Sequence, residues 1–190
     1  MKLEERVIEI STYEHLSHIG SCLSVLPILE DIYKNKKKKD LVILDNAHAH
    51  LSHLVVKEYY EQMPNIGLRL KRYGIHCDRK AGCDASGGSL GHGIGISIGL
   101  AIIDHSRTIH CVVSDGSMME GSNWEALRIK SSLKLDNIKI YCNFNGYTAV
   151  DTVNRCELEH RMRQFDNDIQ VYWTDNGKGF QGLEGHYKTI

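Results

Sequence analysis

Two apolar segments, each ending in a polar turn, dominate the second half of the sequence. The first is "TIHCVVSDG" at residues 108–116, and the second is "NIKIYCNFNG" at residues 137–146. The amphipathic segment "SNWEALRIKSSLKL" lies between them at residues 122–135. This order predicts two parallel strands joined by a crossover helix. Ser122, followed three residues later by Glu125, predicts a capping box at the start of that helix.

The other segments extend the same alternation of strands and helices. "LVIL" at 41–44 and "DIQVYWT" at 168–174 are predicted to be strands. Residues 3–13, 17–36, 51–63 and 89–104 are predicted to be helical, whereas residues 64–88 are predicted to be irregular. The pattern predicts an α/β fold, with a mostly parallel sheet covered by helices on both faces. We expect a single domain over residues 1–190.

Asp115 and Asn145 each follow a predicted strand directly. Because parallel strands of one sheet end at the same edge, both side chains are expected at the carboxyl edge, where open α/β sheets bind ligands. Two oxygen ligands at this edge suit Mg²⁺ or Ca²⁺ with a bound phosphate. Gly116 would let the backbone approach that phosphate closely. The alternative for Asp115 is an ordinary turn or capping residue.

Composition excludes several classes of protein. The formal net charge is −1, so nothing draws the chain as a whole to nucleic acid or to an anionic membrane, and no apolar run is long enough to span a bilayer. The six cysteines include no C-x-x-C pair. This pattern favours reduced thiols in a cytoplasmic protein over a disulfide framework or a zinc ribbon.

Histidines are numerous, and "HAHLSH" places His48, His50 and His53 close together. A zinc enzyme built on a helix would need two histidines four residues apart with an acid between them, and this stretch has none. We therefore expect His50 and His53 to be ordinary core or surface residues. His186 could either line a site or anchor the C-terminus.

Five segments together resemble one enzyme family. "SDGSMMEG…NFNG" is similar to the thiamine diphosphate signature, an Asp-Gly followed some thirty residues later by an Asn, in the form found in the transketolase family. "HLSHIGS", "DNAHAH", "GIHCD" and "ASGGSLGHGIGISIGLAI" resemble further segments of that family, in the same order. The resemblance extends from about residue 13 to the end. It implies the fold of the family's N-terminal, diphosphate-binding half.

The resemblance also implies cofactors and the residues that bind them. Thiamine diphosphate would be bound with Mg²⁺ or Ca²⁺, and the metal ligands would be Asp115, Asn145 and the backbone carbonyl of Tyr147. Further residues would lie beside the cofactor: His48, Gly88, Ser89, Leu90 and Gly116.

Catalytic residues follow from the same resemblance. His18, His48 and His76 would face the substrate, where they would polarise carbonyl groups and move protons. Glu120 would bind no substrate. It would lie at a subunit boundary and couple two cofactor sites.

A transketolase-type enzyme also needs a pyrimidine-binding domain, to which no segment of this chain is similar. We therefore expect that domain on a separate polypeptide and an α2β2 heterotetramer. The reaction would transfer a two-carbon ketol or acyl unit from a ketose or 2-keto acid to an aldehyde or ketone sugar. The alternatives are a non-catalytic cofactor-binding or regulatory module and, more weakly, a metal-dependent hydrolase built on the histidines.

Overall fold

A computed structural model describes residues 2–148 and 150–175 and has a four-stranded sheet at its centre. The strands are β1 (Leu41–Leu44), β2 (Ile109–Ser114), β3 (Ile138–Phe144) and β4 (Gln170–Trp173). They are all parallel and follow one another in the order β1-β2-β3-β4. In the β2–β3 register Ser114 pairs with Asn143, so both strands end at the same edge. The predicted α/β fold is confirmed.

Helices cover both faces of the sheet. Four of them pack on one face: α1 (Leu3–Glu14), α2 (Ile19–Asn35), α3 (His50–Glu61) and α4 (Ile66–Tyr73). Three pack on the other: α5 (Gly93–Ile103), α6 (Gly121–Leu133) and α7 (Arg155–Arg163). Alternation along the strands separates the two cores. Val112 belongs to the first core, whereas its neighbours Cys111 and Val113 belong to the second.

Helix α4 lies within residues 64–88, which were predicted to be irregular, so that prediction is wrong over eight residues. Its buried residues Ile66 and Leu70 are four positions apart and pack into the first core. An isolated helix of this length is unstable in water, and its stability comes from tertiary packing. The local sequence therefore carries little sign of it.

The capping box predicted at Ser122 is also absent. Helix α6 begins at Gly121, and Glu120 takes the N-cap position without a side-chain capping bond. The Ser122 hydroxyl instead donates to the carbonyl oxygen of Gly91 at 2.7 Å, and Glu125 pairs with Arg128. Ser122 thus holds the loop before α5 against the start of α6.

None of the described helices is both long and apolar enough to cross a membrane.

Candidate active site

A cleft of about 220 Å³ opens at the carboxyl ends of the strands. It is lined by residues from the loops that follow β1, β2 and β3, from the start of α2 and from the segment between α4 and α5. The lining residues are His18, Ser21, Asn46, His48, His76, Gly88, Leu90, Ser114, Gly116, Asn143, Asn145, Tyr147 and Thr148. The position matches the edge at which ligands bind in open α/β sheets.

Asp115 lies directly after β2 and has no exposed surface. Its Oδ2 accepts hydrogen bonds from the backbone N–H groups of Asn145 at 2.8 Å and Gly146 at 3.0 Å. Its Oδ1 is buried and has no hydrogen-bonding partner in the described part of the chain. Burial raises the pKa of Asp115 to about 6, against the opposing effect of these two hydrogen bonds. The carboxylate therefore has one oxygen engaged with protein and one oxygen without compensation.

The turn after β3 completes this arrangement. The Oδ1 of Asn145 accepts from the N–H of Tyr147 at 3.0 Å, and Gly146 has a φ of +88°, which favours glycine. Asp115 thus joins the end of β2 to the turn after β3. The two segments predicted to converge are in direct contact.

These residues fit a hard divalent cation. A buried carboxylate oxygen without a partner is costly unless a positive charge neutralises it, and Mg²⁺ takes one or two carboxylate or carbonyl oxygens together with phosphate oxygens. Gly116 lines the same cleft, and a Cβ there would approach the side chain of Leu90 to 3.2 Å. A side chain at this position would therefore crowd Leu90 at the wall of the cleft.

Three predicted histidines stand around the cleft. His18 precedes α2 in the left-handed conformation, with φ of 64°, and its Nδ1 lies 2.8 Å from the hydroxyl of Ser17. The rings of His18 and His48 are 5.1 Å apart between centroids. Burial lowers the pKa of His18, and the proximity of His76 lowers it further. Both effects favour the neutral form of the His18 ring, which can accept a proton at one nitrogen and donate a hydrogen bond from the other.

Sequence comparison identifies the family. The profile described as 1-deoxy-D-xylulose-5-phosphate synthase matches residues 2–169. The chain belongs to the transketolase family. It corresponds to the N-terminal, diphosphate-binding part of these enzymes, and use of thiamine diphosphate is characteristic of the family.

Individual relatives are named as transketolases or transketolase subunits. The chain is 29% identical over 182 residues to the 6-deoxy-6-sulfo-D-fructose transketolase subunit SqwG of Clostridium sp. (strain MSTE9), covering 82% of this chain and 66% of that relative. It is 34% identical over 186 residues to a transketolase of Pongo abelii, covering 87% of this chain but 29% of that enzyme. The chain thus spans about two thirds of the first relative and less than a third of the second.

Solved structures share the fold. The transketolase of Leishmania mexicana superposes with a TM-score of 0.71 at 16% identity, over 98% of this chain and 39% of that one. At this identity the likeness concerns the fold alone.

Not every residue expected from the transketolase resemblance lines the cleft. Gly88 and Leu90 do, whereas Ser89 is exposed on the surface and Asp115 is fully buried, and neither is part of the lining. Glu120, which was expected at a subunit boundary and not in the cleft, is exposed. Glu120 packs close to Gly91, where a Cβ would approach the Cβ of Glu120 to 2.6 Å. His186 lies outside the described residues.

Asp45, at the end of β1, is a site residue that sequence reasoning missed. Its carboxylate accepts hydrogen bonds from the backbone N–H groups of Gly91 and Gly93, and Oδ2 also accepts from the amide of Asn123 at 3.2 Å. A Cβ on Gly93 would approach the Cβ of Asp45 to 2.6 Å. Asp45 therefore fixes the glycine-rich turn that leads from Leu90 into α5. The sequence could have predicted a role for Asp45, because it directly follows a buried strand just as Asp115 does.

Asn46 is a second residue that was missed. It lines the cleft, is 1% exposed, and neither polar atom of its amide has a partner among the residues that the structure describes. A buried amide whose polar atoms lack partners is energetically costly. Asn46 is therefore suited to donate to, or accept from, a polar ligand in the cleft.

Proposed function

We propose that this chain is the diphosphate- and metal-binding subunit of a split transketolase-type enzyme. The enzyme transfers a two-carbon ketol or acyl unit from a ketose or 2-keto acid to an aldehyde or ketone sugar. The observation that carries the proposal is the buried, unpartnered Oδ1 of Asp115, whose other carboxylate oxygen bonds to the backbone of Asn145, while Asn145 and Gly116 line the cleft. The names of two relatives support the split, because SqwG and an apulose-4-phosphate transketolase component of Actinobacillus succinogenes are both named as subunits.

Asp115, Asn145 and the carbonyl of Tyr147 would hold Mg²⁺ or Ca²⁺, and Gly116 would receive the diphosphate. His48 would lie beside the cofactor, as would Gly88 and Leu90. When bound, thiamine diphosphate supplies the carbanion chemistry that breaks and forms carbon–carbon bonds. The protein contributes binding, orientation and proton transfer.

His18 and His76 would face the substrate at the mouth of the cleft. The lowered pKa of His18 keeps its ring neutral near pH 7, so that it can take a hydroxyl proton from a sugar or donate a hydrogen bond to a carbonyl oxygen. Exposed Glu120 is available for contact with another protein chain, which supports a position at a subunit boundary. The α2β2 assembly and a cytoplasmic location belong to the same proposal.

The test combines the purified chain with the polypeptide that carries a pyrimidine-binding transketolase domain, and measures ketol transfer between sugars. We expect transfer by the mixture and none by either chain alone. Asp115→Asn should abolish transfer by the mixture, whereas Asp136→Asn, in an exposed turn, should leave it unchanged. Ketol transfer by this chain alone would refute the split enzyme.

A non-catalytic cofactor-binding module is the alternative, and calorimetry combined with the transfer assay separates the two. Both candidates predict binding of thiamine diphosphate with Mg²⁺, with or without the partner. Binding by the reconstituted mixture, without transfer from any ketose or 2-keto acid donor tested, would favour the module.

A further inference from the structure

Four buried side chains that do not line the cleft form a cluster. His50 and His53 lie on α3, and Cys77 and Cys83 lie in the loop between α4 and α5; we call these four residues the Cys–His cluster. Their exposed fractions are 0%, 0%, 5% and 6%. Ligand atoms of His53, Cys77 and Cys83 all lie within 4.8 Å of one another, and the ring of His50 is near enough to Cys83 to lower the pKa of its thiol. The cluster thus brings two sulfurs and two imidazoles together out of contact with water.

Hydrogen bonds outside the cluster orient the imidazoles. The Nδ1 of His50 lies 3.2 Å from the carbonyl oxygen of Gly74. A carbonyl oxygen only accepts, so Nδ1 carries the hydrogen, and Nε2 of the neutral ring carries a lone pair. The Nε2 of His53 lies 2.8 Å from the hydroxyl of Tyr33, which can accept from it.

The other ring nitrogens are left without partners. Within residues 2–148 and 150–175, neither His50 Nε2 nor His53 Nδ1 has a hydrogen-bonding partner, although both are buried. Histidines that bind metals show this arrangement, with the outer N–H bound to a carbonyl or similar acceptor and the inner nitrogen facing the ion.

The two thiols are electrostatically linked. Donation from the Cys77 thiol, together with the nearby rings of His50 and His53, lowers the pKa of Cys83. The same contact and burial raise the pKa of Cys77. A divalent cation would stabilise both sulfurs as thiolates.

We propose that His50, His53, Cys77 and Cys83 bind a structural zinc ion. Two thiolates and two imidazoles form a ligand set typical of closed, four-coordinate zinc sites, and the two thiolates balance the charge of Zn²⁺. With four protein ligands no coordination position remains for water, so the site is structural and not hydrolytic.

Zinc at this position would stabilise the loop that carries His76. The N–H of Cys77 donates to the carbonyl of Ala47 at 3.1 Å, and the carbonyl of Cys77 accepts from Gly87 at 2.9 Å. His76, directly before Cys77, lines the cleft. The zinc would tie this loop to α3, and so fix one wall of the cleft.

The test uses the full chain without an affinity tag, because a histidine tag binds metals itself. Protein is purified without chelator, and its zinc is quantified by mass spectrometry after gel filtration. After removal of zinc, titration with Co²⁺ is followed by absorption. We expect close to one zinc per chain, and a cobalt complex with a thiolate charge-transfer band and the intense visible bands of tetrahedral geometry.

Single substitutions test which residues bind the zinc ion. Cys83→Ser should lose zinc and the charge-transfer band, whereas Cys156→Ser, at an exposed position, should keep both. Tyr33→Phe removes the partner of His53 Nε2, and should weaken zinc binding by about 10–100-fold while leaving the cobalt spectrum tetrahedral. Circular dichroism checks that each variant is folded.

Several outcomes would overturn the proposal. One is wild-type protein that gives no thiolate–cobalt band, a result that stands even if Cys83→Ser fails to fold. Another is zinc content unchanged in a folded Cys83→Ser variant. A third is a Cys77–Cys83 disulfide, detected by alkylation and peptide mass spectrometry without reduction. None of these measurements uses thiamine diphosphate, so they leave the proposed function untouched.

Discussion

Asp115 should make the stability of the metal-free chain fall as pH rises. The pKa of its carboxyl group is about 6 in the folded chain, against an ordinary value of 3.8. A group whose pKa is raised by folding binds more protons in the folded state than in the unfolded state. Its favourable contribution is therefore complete below about pH 3.8 and is lost as pH rises through about 6. The difference corresponds to about 3 kcal/mol in the free energy of unfolding.

Urea denaturation of chelator-treated protein at several pH values measures this effect. Other carboxyl groups titrate in the same range, so the comparison is with Asp115→Asn, whose side chain does not titrate. The stability of the wild type relative to this variant should fall by about 3 kcal/mol between about pH 3.5 and pH 7. The exposed control Asp136→Asn should follow the wild type. Parallel pH profiles for the wild type and Asp115→Asn would refute the burial of an uncompensated carboxylate.

Packing and charge give two more predictions. Gly93→Ala should destabilise the chain by about 1–3 kcal/mol in thermal unfolding, because its Cβ would meet the Cβ of Asp45 at 2.6 Å. Gly95→Ala is the control, because a Cβ at this position has no described atom within 4 Å, and it should leave the stability unchanged or raise it by about 0.5–1 kcal/mol. Equal losses of stability in both variants would contradict the close approach of Gly93 to Asp45. Lys130→Met should cost about 1.5–3 kcal/mol in urea, because it removes the ammonium that contacts the partly buried carboxylate of Asp166 at 2.7 Å. A loss below about 1 kcal/mol would mean that the pair behaves as an exposed one.

The sequence was enough to place Asp115 beside Asn145. A strand–helix–strand unit forces its two strands to be parallel, and parallel strands of one sheet end at one edge. The register of Ser114 with Asn143 shows how directly the pattern translates into contact. The alternation of apolar residues also indicated the layered architecture, because it reports which face of each strand is buried.

Contacts between distant segments were not predictable in the same way. Asp45 bonds to Gly91 and Asn123, which lie 46 and 78 residues along the chain. Ser122 had a strong local capping pattern, but the nearby Gly91 carbonyl takes its hydroxyl instead. A local sequence pattern does not determine which hydrogen-bonding partner a side chain finds in the folded chain.

The Cys–His cluster shows the same limit. His50 and His53 come from a helix, whereas Cys77 and Cys83 come from a loop and are six positions apart, so none of the familiar short zinc motifs is present. Only the packing of α3 against that loop brings the four side chains together.

Crystals grown with thiamine diphosphate, Mn²⁺ in place of Mg²⁺ and the partner polypeptide give the most direct test of the metal site. An anomalous difference map locates the cation without reference to its surroundings. We predict a manganese peak within coordination distance of Asp115 Oδ1 and Asn145, with the diphosphate beside Gly116. Bound cofactor whose cation lies away from Asp115, or no cation peak at Asp115, would contradict the account.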